Sequence, residues 1–158
     1  MSRAWLDLGS NLERDASLRQ ALQLLSQHVE VVRTSSVYES APVGFADQPN
    51  FYNMCVEIST DLLPDELRPL LRRLEDEMGR VRGANKYGPR NIDMDLVLHE
   101  VHRDEKLPHP QVASQAFVLL PLCELVPDFV HPLSGLTLQQ MLQDLGVAPG
   151  ALKKVDLK

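Results

Sequence analysis

Aromatic and sulfhydryl side chains are scarce in this sequence, and it has no excess of positive charge. Only 5% of the 158 residues are aromatic, and the two cysteines, Cys55 and Cys123, both lie in apolar stretches. We therefore expect buried free thiols rather than a structural disulfide, and no cysteine and histidine spacing indicates a zinc site. The net charge of −6 disfavours a general nucleic-acid-binding protein, because such proteins present a basic surface.

Long apolar runs are also missing from the sequence. No stretch reaches the roughly 18–20 apolar residues that a membrane-spanning helix needs. Near the start of the chain, Asp7 interrupts the apolar residues that a signal peptide would require. We therefore expect a cytoplasmic protein without membrane contact, and its length predicts one domain over residues 1–158.

Hydrophobic periodicity predicts a β-α-β-β-α-β order followed by a C-terminal extension. The strands are predicted over 4–9, 29–40, 51–60 and 90–99, and the helices over 16–27 and 63–79. This order is typical of a ferredoxin-like α+β fold, with a four-stranded antiparallel sheet and helices packed on one face. The extension is predicted to hold a helical segment over 112–127, which Pro121 should end or kink, and a short helix near 137–145.

The last of these strands contains two acids, Asp93 and Asp95, among apolar residues. Alternation places both acids on one face, about 7 Å apart at Cα. The face that packs on the helices is predicted to hold Ile92, Met94, Leu96 and Leu98. Two unpaired carboxylates would repel each other, so a cation should neutralise them. Two alternatives remain open here, an arginine (Arg82 or Arg90) or a magnesium ion.

A basic cluster precedes this strand in an otherwise acidic chain. It comprises Arg68, Arg72, Arg73, Arg80, Arg82, Lys86 and Arg90. Such a cluster favours a small polyanion as ligand, although a solvated helix face is the preferred interpretation for Arg68 and Arg73. Magnesium together with arginines is how a nucleoside triphosphate is commonly held. Because neither a Walker A sequence nor a kinase-type glycine-rich loop is present, side chains must grip the phosphates.

Five segments together resemble the 6-hydroxymethyl-7,8-dihydropterin pyrophosphokinase family of folate synthesis. They are LGSNL (8–12), PVGFADQPNFYN (42–53), GRVR (79–82), YGPRNIDMDLVL (87–98) and LPHP (107–110). The resemblance runs from about residue 4 to residue 132, with matching order and spacing. It implies a single pyrophosphokinase domain of ferredoxin-like fold. It also implies transfer of the β,γ-pyrophosphoryl group of ATP, as co-substrate, to the hydroxymethyl group of the pterin, with release of AMP.

The resemblance assigns a role to each candidate site residue. Catalysis falls to Arg80 and Arg82, on a loop that closes over the phosphates, and to Asp93 and Asp95, which hold two Mg²⁺ ions. The implied ATP contacts are Arg72, Glu75, Lys86, Tyr87, Arg90, Leu96 and His109. The implied pterin contacts are Ser40, Pro42, Val43, Phe51, Asn53 and Phe117. The two substrates are the expected partners of a chain predicted to be a monomer.

The pterin end also has a reading from the residues alone. Asn53 can both donate and accept at the edge of a flat polar ring, and it shares a strand face with Phe51. Without the resemblance, core packing would be the better interpretation of Phe51 and Phe117.

Several positions depart from the family pattern, and two rival functions follow. The departures are Gly83 for a lysine, Phe51 for a tyrosine, Gln115 for an arginine, Pro110 for an aromatic residue, and a shortened connection before LPHP. One rival is a divergent paralogue that binds a pterin or nucleotide with weak or altered activity. The other is an RNA-recognition module, which has the same element order but needs aromatic residues on an open sheet face and a basic surface.

Overall fold

A computed structural model describes residues 1–42, 47–79, 92–147 and 150–157 of the chain. The described part is a mixed α/β fold around one antiparallel sheet. Its elements, in chain order, are β1 (Ser2–Ser10), α1 (Arg14–Ser26), β2 (Glu30–Thr34), β3 (Val37–Ser40), β4 (Phe51–Thr60), α2 (Pro64–Glu77), β5 (Asp93–His99), α3 (Gln111–Ser114), α4 (Ala116–Leu125), α5 (Leu138–Leu145) and β6 (Lys153–Val155).

The described sheet has six strands rather than the four predicted. Its order is β5-β1-β4-β3-β6, and β2 pairs with the far half of β4. The single strand predicted over 29–40 is therefore wrong. At the break, the Ser35 hydroxyl accepts a hydrogen bond from Cys55 N at 2.8 Å, and Ser36 N donates to Glu124 at 2.6 Å. Ser35 N still donates to Cys55 O at 2.9 Å, but side chains supply the other partners at this point, and the sheet ladder is interrupted.

One face of the sheet is covered by α1 and α2. Alternate residues of β1, β4 and β5 point to this face and pack against the apolar stripes of the two helices. Its fully buried members include Leu6, Leu8, Leu18, Leu25, Met54, Ile58, Leu67, Leu71, Leu74, Ile92 and Met94. This is the main core, and the prediction that Ile92, Met94 and Leu96 belong to it is confirmed.

The opposite face is covered in part by α4 and α5, which belong to the predicted C-terminal extension, whereas the two helices predicted on one face, α1 and α2, do share a face. Trp5, Cys55 and Leu98 lie in this second core cluster. Leu98 was predicted on the first face, but a β-bulge intervenes: Leu6 pairs with Leu96 whereas Trp5 pairs with Leu98. The extra residue, Val97, reverses the alternation beyond it. An RNA-recognition module needs this face open, and the covering helices weigh against that alternative.

The C-terminal helices differ from the prediction in where they break. Gln115 adopts an extended conformation that separates α3 from α4. Helix α4 continues through Pro121 to Leu125, so Pro121 does not end it. Pro121 is buried against the second cluster, where packing stabilises a helix that propensity alone would not. None of the described helices is long and apolar enough to cross a membrane.

Candidate active site

The acidic pair lies at the beginning of the edge strand β5. Asp93 is paired in register with Gly9 of β1, and Asp95 with Asp7. Both acids are partly exposed, and the Asp95 side chain retains 20% of its accessible surface. Among the described residues, the second core cluster includes Val97 and Leu98 of β5 but neither acid. The interval of one residue between them keeps them on the same side of the strand.

A cation does accompany the acidic pair, and it is Arg72. Its Nη2 donates to Asp95 Oδ1 at 3.2 Å, and its Nη1 donates to Glu75 Oε1 at 2.8 Å. Glu75 is fully buried, and its second oxygen accepts a hydrogen bond from Met94 N at 2.7 Å. Burial alone would lower the pKa of Arg72, but the bonds and charges of Glu75, and then of Asp95, raise it. Helix α2 thus reaches around the sheet edge and orients Asp95 through Arg72.

A third acid, Asp7, completes the acidic face, and the sequence interpretation gave it no role in the site. It lies on the central strand β1 between Cys55 and Asp95 and is only 6% exposed. Burial, and then the charges of Asp95 and Asp93, raise its pKa well above the usual value. The signal that singled out Asp93 and Asp95, an acid inside an apolar strand, also applies to Asp7 and could have found it.

The residues proposed for the pterin cluster at the neighbouring end of β3 and β4. Phe51 and Asn53 share the face of the acids, and Ser40 pairs in register with Phe51. Ser40 Oγ donates to Asn53 Oδ1 at 3.5 Å, and Asn53 Nδ2 donates to Asp7 Oδ2 at 3.4 Å. A short polar chain therefore connects the predicted pterin side with the acidic side.

Glycine at position 9 leaves room for the Asn53 side chain. A Cβ atom there would lie 2.8 Å from Asn53 Nδ2 and 3.9 Å from Phe51 Cδ1. The bare backbone of Gly9 therefore lets the Asn53 amide lie directly against β1, between Asp7 and Ser40. Within the LGSNL segment, Gly9 contributes to the site because it has no side chain; the segment does not act as a phosphate-binding loop.

The remaining described candidates lie at different distances from this centre. Phe117 is in the first turn of α4, partly buried on the second core cluster, and α4 contacts both β3 and β4. His109 N donates to Val97 O at 2.9 Å, which places the LPHP segment beside β5. Leu96 is 4% exposed, and its side chain lies in the main core on the face opposite Asp95, so its predicted ATP contact stays a prediction. Pro42 is partly buried just after β3.

Six candidate residues lie outside the described part of the chain: Val43, Arg80, Arg82, Lys86, Tyr87 and Arg90. The alternative in which Arg82 or Arg90 neutralises the acids therefore stays a prediction.

Asp93 and Asp95 are the candidate ligands for the magnesium that the resemblance implies. Across the described segments, no group of three or more His, Cys, Asp or Glu residues could hold a metal ion. Magnesium does not require one, because it typically takes one or two carboxylates and completes its shell with water and phosphate oxygens. Asp93 and Asp95 meet that requirement. The buried Asp7 carboxyl beside them has one oxygen, Oδ1, without a hydrogen-bond partner among the described groups.

The fold and this site define a mixed α/β protein whose antiparallel sheet presents paired carboxylates at one end of a half-covered face. The family model for 7,8-dihydro-6-hydroxymethylpterin-pyrophosphokinase (HPPK) matches residues 5–127. The chain belongs to the HPPK family. This confirms both the resemblance and the pyrophosphokinase function predicted from the sequence, including ATP as co-substrate.

Curated relatives and solved structures agree with the family. The 2-amino-4-hydroxy-6-hydroxymethyldihydropteridine pyrophosphokinase of Bacillus subtilis (strain 168) is 45% identical over 129 residues, 77% of each chain. The enzyme of the same name from Haemophilus influenzae is 38% identical over 150 residues, 90% of this chain and 93% of that one. The fold is that of Plasmodium falciparum HPPK-DHPS A437G with SDX-DHP, at a TM-score of 0.73 and 16% identity. That match covers 90% of this chain and 45% of the solved one, so this chain spans less than half of it.

Proposed function

We propose that this chain transfers the β,γ-pyrophosphoryl group of ATP to the hydroxymethyl group of 6-hydroxymethyl-7,8-dihydropterin, releasing AMP, in folate synthesis. Family membership supports the reaction. The observation that locates the reaction at this site is the partly exposed pair Asp93 and Asp95. Arg72 donates hydrogen bonds both to Asp95 and to the buried Glu75. A triphosphate repels a purely acidic face, so this surface suits it only where cations lie between the two.

The reaction depends on magnesium, with two ions held by Asp93 and Asp95. Bound there, the ions supply positive charge that neutralises the triphosphate and its developing charge. Arg72 keeps Asp95 in place, and Glu75 fixes Arg72 by accepting hydrogen bonds from both the guanidinium and Met94 N. Asp93 also contacts the attacking hydroxyl of the pterin.

The phosphates are gripped by side chains, as expected for a chain without a glycine-rich phosphate loop. The family resemblance supports these roles for Arg80, Arg82, Lys86 and Arg90, with Tyr87 sealing the site. Arg72 and His109 complete the ATP site from α2 and from the segment beside β5.

The pterin binds against the ends of β3 and β4. Asn53 has two amide hydrogens and two acceptor lone pairs, and Asp7 and Ser40 each engage one of them. One donor and one acceptor remain for the edge of the ring. Phe51 and Phe117 supply its faces, and the backbone from Ser40 to Val43 completes the edge.

Several finer features belong to the same proposal. If β2 and β3 count as one interrupted strand, the order around β1 and β4 supports a ferredoxin-like topology. The chain forms a single domain over residues 1–158, is a monomer, and works in the cytoplasm. Light scattering during size-exclusion chromatography tests the monomeric state.

The direct test is AMP release in a coupled assay with ATP, magnesium and 6-hydroxymethyl-7,8-dihydropterin. Phosphorus NMR should identify the pterin diphosphate as the second product. A divergent paralogue with altered activity would bind the pterin but give neither product at a useful rate.

The site assignment is tested with Asp95→Asn, which keeps the shape of the side chain and removes its charge. We expect turnover to fall at least about 100-fold, because electrostatic groups of this kind contribute that much to catalysis. The matched control is Asp61→Asn, since Asp61 is 82% exposed and follows the opposite end of β4. Equal rates for the two variants would remove Asp95 from the site.

A further inference from the structure

The Asp7 carboxyl group is the described polar group that the proposed reaction leaves unexplained. It is buried on the central strand, and Oδ1 has no hydrogen-bond partner among the described residues. Leaving a buried acceptor unsatisfied lowers stability, and natural structures contain few such groups. Its neighbours on the same face, Trp5 and Cys55, are buried and apolar, so folding does not require a polar residue at this point.

Among the described residues, the hydrogen bond that the Asp7 side chain accepts from Asn53 connects it to the pterin side of the site. Asn53 Nδ2 donates to Asp7 Oδ2 at 3.4 Å, while Asn53 Oδ1 accepts from Ser40 Oγ at 3.5 Å. The amide is therefore held at both ends, with its NH₂ group toward β1 and its carbonyl toward β3. Ser40 could serve either end of the amide because a hydroxyl both donates and accepts. Asp7 is the neighbour that selects the orientation.

Packing leaves the amide little other support. Gly9 offers it no side chain, since a Cβ atom there would approach Nδ2 to 2.8 Å. Asn53 itself is 4% exposed, so water does not compete for its amide group. The rotation that decides which end of the amide faces a ligand is thus controlled by two hydrogen bonds, both of them long.

We propose that Asp7 is a positioning residue for the pterin: it holds Asn53 so that one amide hydrogen and one carbonyl lone pair face the edge of the ring. This inference rests on the proposed function. Asp7 does not touch the substrate, because its Oδ1 is buried and its Oδ2 is already engaged with Asn53. Burial of Asp7 lowers stability, but its hydrogen bond keeps the Asn53 amide from rotating.

The test measures binding of 6-hydroxymethylpterin by calorimetry, without nucleotide, in the wild type and in Asp7→Ala. Loss of one positioning hydrogen bond should weaken pterin binding roughly tenfold. The KM for ATP should stay unchanged. Asp7→Asn retains an acceptor for Asn53 Nδ2 and should restore binding to near the wild-type value. Cys55→Ala is the matched control, since Cys55 is a buried neighbour of Asp7 in the register and should leave binding unchanged.

A double-mutant cycle separates positioning from a general structural effect. If Asp7 acts only through Asn53, Asp7→Ala should cause no further loss of binding in an Asn53→Ala background. The melting temperature of Asp7→Ala should change little, because an unsatisfied buried oxygen is removed while the buried Asn53 Nδ2 loses its acceptor. Asp7→Ser is a second variant should the alanine variant not fold, since its hydroxyl falls about 1 Å short of the hydrogen-bonding limit to Asn53.

Three results would overturn the positioning role. These are unchanged pterin binding in Asp7→Ala and Asp7→Ser, losses that add to those of Asn53→Ala, and an Asp7→Asn variant no better than alanine. A wild-type protein that does not bind 6-hydroxymethylpterin at all would instead refute the proposed function. The two failures are therefore distinguishable.

Discussion

Replacement of Arg72 by glutamine should strengthen the binding of a divalent cation to the isolated protein. Arg72 is the cation that now accompanies Asp95, at 3.2 Å. Asp93 and Asp95 are the proposed magnesium ligands, so an incoming ion approaches a carboxylate that already has a positive neighbour. Glutamine retains an amide donor for Glu75 but removes the charge.

The size of the effect follows from distance and exposure. If the ion binds the same Asp95 oxygen as Arg72, a magnesium–oxygen bond of about 2.1 Å added end to end to the 3.2 Å contact places it roughly 5 Å from the guanidinium nitrogen. At that separation a double and a single charge repel by about 1.7 kcal/mol with the dielectric constant of water. The Arg72 side chain is 47% exposed, so the aqueous value is the appropriate one. We therefore expect the Kd for the ion to fall roughly tenfold.

Calorimetric titration with Mg²⁺ or Mn²⁺, without nucleotide, measures this change directly. Arg73→Gln is the matched control, because it removes the same charge from an adjacent, exposed position of α2. With ATP present the sign should reverse, and the KM for ATP should rise, because the triphosphate loses a positive neighbour. If Arg72→Gln had a Kd for the ion equal to or higher than that of Arg73→Gln, the reasoning would be refuted. Arg72 would then help to form the metal site rather than repel the ion.

Three further predictions concern pH, thiol reactivity and the glycine under the site. Burial alone would raise the pKa of Glu124, but hydrogen bonds from Ser36 and Tyr38 hold it below its usual 4.5. Its contribution to stability is therefore complete above that pH and is lost as the pH falls through the lowered pKa; Glu124→Gln should flatten the acid decline in unfolding free energy measured with urea. Burial raises the pKa of Cys55, and that of Cys123 to about 11, so a thiol reagent should modify both far more slowly in native than in unfolded protein. Equal rates would contradict their burial. Gly9→Ala should raise the KM for the pterin but not for ATP, because the added Cβ displaces Asn53; an unchanged KM would show that the amide can move without loss.

Periodicity predicted the elements that bury a continuous apolar stripe. Helices α1 and α2 and strands β1, β4 and β5 appear close to the predicted limits, because each has one face that only the core can accept. Periodicity did not predict the break at Ser35. That break depends on hydrogen bonds to Cys55 and Glu124, which lie far along the chain.

The position of the bulge could not be read from the sequence either. Met94, Leu96 and Leu98 alternate without interruption, so a regular strand was the natural prediction. The structure departs from it because Trp5, on the neighbouring strand, pairs with Leu98 rather than with Val97. This register shift carries Leu98 into the cluster beneath α4 and α5, where regular alternation had already placed Val97. The decisive interaction is between strands and has no local signature.

The candidate site was predictable only where its chemistry depended on residue type within one segment. The interval between Asp93 and Asp95 required a common face and a cation, and both expectations hold in the described structure. The identity of the cation was not predictable. Arg72 is separated from Asp95 by 23 positions and reaches it only because α2 runs beside the edge strand. Asp7 carries the same local signal, an acid inside an apolar strand, but the partners that give it a role are its neighbours in the sheet.

The sheet face that holds Asp93, Asp95 and Asp7 changes from acidic to apolar along β5. Before the bulge, Asp93 and Asp95 lie beside Asp7 where no described helix covers them; after it, Val97 and Leu98 lie under α4 and α5. One face is thereby divided into an apolar half that stabilises the fold and an acidic half that opposes it through like charges. Cations bound to the acidic half would relieve that repulsion in the native state alone. Substrate binding and stability should therefore be coupled through the same carboxylates, since whatever binds only the folded state stabilises it.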